Sequence, residues 1–124
     1  MLEARLMREE KLLILVPVDE LEETDFKRLN LLVDPYLEKN GELDGILIYA
    51  DDFSGWDDFS AMMSHIRFVN SHHHKVKRIA AVADGAFQTV LPKVVDYFVD
   101  ADVRHYDFEE RDEAIMWLKT GIEH

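Results

Sequence analysis

The chain contains no cysteine. That excludes a disulfide framework, thiolate metal ligation and thiol catalysis, and it agrees with a reducing cytosol. Proline and glycine are scarce, at 3 and 5 of 124 residues. They fall between or inside periodic segments, so no linker, repeat or low-complexity tract divides the chain. No apolar run reaches the roughly 18 residues of a membrane span, and no basic start leads into an early apolar stretch. Neither a transmembrane helix nor a signal peptide is expected, and the expected location is the cytoplasm. Positive charge is also short, with 14 Lys and Arg against 26 Asp and Glu, a net charge of −12. Such a surface repels phosphate backbones, which disfavours nucleic-acid binding. It repels anionic lipid headgroups at long range, although a local patch can still dock. What is present is apolar: 48% of the residues are hydrophobic, too many for a disordered acidic tail. Residues 1–124 are therefore read as one domain around one core.

Periodicity gives the order of elements. Met1 to Met7 and Lys11 to Val18 read as two strands joined by the polar turn Arg8-Glu9-Glu10. Leu12-Leu13-Ile14-Leu15-Val16 is continuously apolar, as a strand covered on both faces is. Thr24 is placed as the cap of a following helix, with Asp25 in its first turn. Phe26, Leu29, Val33 and Leu37 then recur at helical spacing, Asn40-Gly41 is the stop, and Pro35 predicts a kink or break near Asp34. Gly45 to Ala50 is the next buried strand. Trp56, Phe59, Met63 and Ile66 mark a helix expected to end near Ser71. Val76 to Ala83 is a strand, and a helix carrying Val90, Leu91, Val94, Val95 and Phe98 follows, with Pro92 in its first turn. Ala101 to Tyr106 is the last strand and Glu109 to Lys119 the last helix, stopped by Gly121. The order ββαβαβαβα implies a mainly parallel sheet with right-handed crossovers and one antiparallel edge.

Gly55-Trp56-Asp57, Ala61, His65, Arg67-Phe68-Val69, His72-His73 and Arg78-Ile79-Ala80 resemble the small bacterial SpoIIAA-like proteins, which are related to STAS and CRAL-TRIO domains. Asp34-Pro35-Tyr36, Leu91-Pro92, Phe98, Ala101, Val103-Arg104, Tyr106 and Ala114…Trp117-Leu118 fit the same pattern, so the resemblance runs in order over nearly the whole chain. It implies an α/β fold of four β-α turns, with a mainly parallel five-stranded sheet and an antiparallel N-terminal strand. It also implies kinship with two functional groups: anti-sigma-factor antagonists switched by serine phosphorylation, and carriers that enclose lipids. On that resemblance the expected ligand is small and non-polar, with peripheral membrane contact.

Strand ends in open parallel sheets are the usual ligand sites. Asp51-Asp52-Phe53-Ser54-Gly55-Trp56 puts two large rings in or beside a loop, where water reaches them unless something covers them. Phe53, Trp56, Leu21, Phe26, Met62 and Phe87 are the expected lining of an apolar pocket, with Met63 as a further adaptable wall. The competing reading makes Trp56 the first core residue of its helix. Ser54, ahead of that helix, is either its cap or, by the resemblance, a regulatory phosphosite.

His65, His72, His73 and His74 have no fixed ligand spacing, and consecutive histidines cannot all converge on one ion, so no metal is expected. With Arg67, Lys75, Lys77 and Arg78 they form one basic stretch, read as an offset to neighbouring acids or as a phosphate-headgroup contact. Asp51, Asp52 and Asp84 lack the partner lysine of a receiver pocket, and Asp84 is read as capping the turn at Gly85. Asp19, Glu20 and Asp51 could form a carboxylate pair, but acids are too numerous for such a pairing to carry weight. No nucleophile elbow, phosphate loop or zinc-protease motif is present. The expectation is a non-catalytic protein without a cofactor that carries or senses a small non-polar ligand. The alternative is an antagonist-like interaction module. An exposed edge strand also allows a homodimer.

Overall fold

The computed structural model describes residues 1–51, 53–63, 75–98 and 101–121, with the backbone alone for Met62, Met63 and Lys75. The first two apolar runs form a hairpin, β1 (Leu2–Met7) and β2 (Leu12–Pro17), antiparallel from Leu2 opposite Pro17 to Met7 opposite Leu12. Lys11 closes the turn at a left-handed φ of 58°. Leu13 and Leu15 of β2 enter one core and Leu12 and Ile14 pack with another, so the continuous apolar run serves both faces.

Helix α1 (Glu23–Asn40) starts ahead of the expected cap. Glu22 is the N-cap and forms a reciprocal capping box with Asp25, whose Oδ2 accepts the Glu22 N–H at 2.8 Å. The helix runs unbroken through Pro35, so no break occurs at Asp34. It stops at Gly41, left-handed, whose N–H donates to Leu37 O at 2.7 Å.

Strand β3 (Glu42–Tyr49), helix α2 (Trp56–Met63) and strand β4 (Lys75–Val82) follow. The expected extension of α2 to Ser71 lies outside the described residues, as do Asp52, His65, Arg67 and His72 to His74. A 3-10 turn over Gly85–Thr89 leads into α3 (Leu91–Tyr97), with Pro92 in its first turn. Strand β5 (Asp102–Tyr106), a 3-10 turn over Phe108–Glu110 and α4 (Arg111–Thr120) complete the described chain.

The five strands lie in the sheet in chain order, β1-β2-β3-β4-β5, with β1 antiparallel and the rest parallel. Each parallel crossover therefore steps the same way. Right-handed crossovers that step one way put their helices on one face. The larger core holds Phe26, Leu29 and Val33 of α1, Trp56 and Phe59 of α2 and Val94 of α3. Helix α4, after the last described strand, covers the other face at β3 and β4, burying Ala114, Trp117 and Leu118. It comes so close at Gly45 that a Cβ there would stand 2.8 Å from Leu118 Cδ2 and 3.0 Å from Leu12 Cδ2.

Candidate functional site

At the C-terminal end of the sheet, Ala50 N donates to Val82 O at 3.0 Å and Ala83 N to Tyr106 O at 3.3 Å, continuing the strand pairing to its edge. The chain then turns through Phe53 to α2. Gly55, not Ser54, holds the capping position: its carbonyl accepts the Phe59 N–H at 2.9 Å. Ser54 is exposed one residue upstream.

Phe53 folds back across Gly55, where a Cβ would meet its Cζ at 2.9 Å. Its ring meets Trp56 edge-on, with centroids 4.9 Å apart. Trp56 in turn meets Phe59 at 5.5 Å and Phe87 at 5.0 Å, both edge to face. Such edge-to-face pairs are the favoured aromatic geometry. Phe53 and Trp56 are 4% and 3% exposed, so the expectation that water reaches these rings is overturned: aromatic neighbours from three elements cover them. Phe26 is buried in the same core, and Leu21 packs half-buried against it. The Met62 side chain lies outside the described residues.

Two buried polar groups of α2, the Trp56 indole N–H within the cluster and the Ser60 hydroxyl, make no hydrogen bond among the described residues. They stand four residues apart on α2, so both lie on its sheet-facing side. Ser60 escaped the sequence reading, although a serine at that spacing on an apolar face is a visible signal. His105 also escaped it. Its ring lies 5.5 Å from Phe87, and its Nε2 is 2.8 Å from Ala83 O, which makes that nitrogen the protonated donor.

Beside the cluster, Val18, Asp19, Tyr49, Asp51 and Phe53 border a cleft of about 270 Å³. Asp19 holds a left-handed φ of 54°, a conformation aspartate tolerates better than most residues. Its carboxylate and that of Asp51 are exposed, which leaves both in water rather than in an acid-base pair. Asp84 caps the 3-10 turn by accepting the Ala86 N–H at 3.0 Å, as expected.

The charged groups with defined partners are structural. Burial opposes ionisation of Asp25, but the Glu22 and Leu2 backbone N–H groups, the Arg28 guanidinium and the terminal ammonium outweigh it and hold the carboxyl below its ordinary value. Lys77 of the basic stretch pairs with Glu42 at 3.4 Å and Asp44 at 3.3 Å, and the Asp44 carboxylate, with Glu42, raises its ammonium above the ordinary range. Arg78 donates to Leu118 O at 3.4 Å, at the end of α4 where a cation suits the helix dipole. Among the described residues, no group of three or more His, Asp or Glu side chains converges as a metal site. Nor is any described helix long and apolar enough to cross a membrane.

The SpoIIAA-like family model matches residues 12–119, most of the chain. No curated protein and no solved structure matches. The chain belongs to the SpoIIAA-like family, and its α/β fold, a mixed five-stranded sheet with β1 antiparallel, is consistent with that membership.

Proposed function

We propose that this SpoIIAA-like chain is a non-catalytic binding module that carries or senses a small, mainly apolar ligand between α2 and the sheet. Exchange at a membrane through reversible contact is part of the same reading, as is a cytoplasmic location. The observation that carries it is the pair of buried polar groups without a partner among the described residues, the Trp56 N–H in the aromatic cluster and the Ser60 O–H four residues along α2. A buried polar group without a partner costs about 1–3 kcal/mol, so native proteins rarely keep one. A ligand with an apolar body and one carbonyl or hydroxyl oxygen relieves that cost while its body meets Phe53, Phe59 and Phe87. Helix α2, described over Trp56–Met63, is held in place by packing of its apolar face, as helices in proteins mostly are. Lifting it from the sheet opens the cluster, and closing it over a ligand changes the surface a partner meets.

Trp56→Ala is a poor test, because removing a buried indole costs about 3–5 kcal/mol of stability by itself. Trp56→Phe keeps a ring and deletes only the N–H. Native mass spectrometry of gently purified protein, before and after incubation with mixed uncharged lipids and fatty alcohols, is expected to show a bound species in wild type that Trp56→Phe loses. A bare mass for wild type throughout would overturn the reading, and equal retention by Trp56→Phe would misplace the site.

A second reading, a regulatory interaction module docking near Ser54, is favoured by the exposure of Ser54 just ahead of α2. Against it, Asp57 and Asp58 in the first turn of α2 repel an added phosphate. A stoichiometric phosphate on Ser54 in protein from the native host is the outcome that favours this reading.

A further inference from the structure

The face carrying α4 is only partly roofed. Helix α4 packs on β3 and β4, and among the described residues no other helix covers the same face of β1 and β2. There a half-open groove of about 410 Å³ runs alongside α4, within the usual size range of small-molecule sites. Its floor is apolar: Ile14, Val16 and Leu47 from the sheet and Ile115 from the helix. Two arginines also line it, Arg5 of β1 and Arg111 at the start of α4, against a single carboxylate, Glu3.

In a chain of net charge −12 this balance is reversed locally. Neither arginine enters an ion pair among the described residues. Arg28, Arg78 and Arg104 are committed instead, to Asp25, to the end of α4 and to the Trp117 ring. Arg111 lies over Tyr49, 5.3 Å from the ring centroid, a stacking that fixes its stem and leaves its N–H groups available. An apolar floor with guanidinium groups beside it complements a ligand with an apolar body and one carboxylate, since guanidinium binds carboxylate in a planar, charge-assisted geometry.

We propose that this groove binds a free alkyl carboxylate, with its chain on Ile14, Val16, Leu47 and Ile115 and its carboxylate on Arg5 and Arg111. It lies on the opposite face of the sheet from the Trp56 cluster, and the two proposals stand or fall separately.

The test is calorimetric titration with decanoate and with decanol, which share a chain and differ in charge, below their aggregation limits. Decanoate should bind at least about tenfold more tightly than decanol, the size expected for a charged hydrogen bond. The double variant Arg5→Gln/Arg111→Gln should lose that preference while keeping its thermal midpoint, since both side chains are exposed. Equal affinity for the two probes would overturn the proposal. So would no decanoate binding up to about 1 mM, or wild-type decanoate affinity in the double variant.

Discussion

Asp25 is where one side chain carries the most structure. It closes the capping box of α1 with Glu22, meets the Leu2 N–H of β1 and pairs with Arg28. The sequence reading placed an acid in the first turn of α1 but set the cap at Thr24. The frame differs because Leu2 N–H and the terminal ammonium, from a distant part of the chain, decide where Asp25 sits. Phe53 and Trp56 follow the same rule: their identities are legible, but their burial depends on Phe59 and Phe87. Asp25→Asn should cost about 1–2 kcal/mol at neutral pH, the size of a lost cap and charged hydrogen bond. Its folded carboxyl titrates below the unfolded one. Its contribution is therefore complete above about pH 4 and is lost as pH falls from there through the folded value. Urea unfolding from pH 5 downward should show wild type losing stability faster than Asp25→Asn. Parallel curves would remove Asp25 from the acid limb.

At the scale of elements, the apolar spacing of Phe26, Leu29, Val33 and Leu37 announces α1, and all four are buried. What the spacing does not announce is that the helix passes Pro35. A proline there removes the hydrogen bond to the Leu31 carbonyl, and Leu31, 76% exposed, leaves that carbonyl open to water instead. Pro35 is itself exposed, so its ring adds little packing. Pro35→Ala should raise stability by roughly 1 kcal/mol or more, because interior proline costs about 3 kcal/mol and only part returns through the stiffer unfolded chain. A lower unfolding midpoint in urea would show that the ring matters to the packing of α1. The spacing predicts a turn at Gly85 where a 3-10 turn runs to Thr89, and a last helix from Glu109, inside the 3-10 turn Phe108–Glu110. Their residues share the helix periodicity over so few positions that only hydrogen bonds separate them, such as Val90 N–H to Phe87 O at 3.0 Å.

For the whole molecule, alternating strand and helix signals convey a parallel sheet, but nothing local to α4 says which face it takes. That follows from strand order, which is a property of the assembled sheet. The net charge of −12 works against any compact state through self-repulsion. Raising NaCl from about 0.02 M to about 0.3 M shortens the screening length severalfold and should lift the thermal midpoint by a few degrees. A midpoint that falls would mean that the pairs at Asp25, Lys77 and Lys119 outweigh the general repulsion. The order of strands has one more consequence. Because neighbours in the chain are neighbours in the sheet, no strand has to be threaded between two already in place. A chain emerging from the ribosome can form the β1-β2 hairpin, add β3, β4 and β5 in turn to the free edge, and close the second face with α4 last.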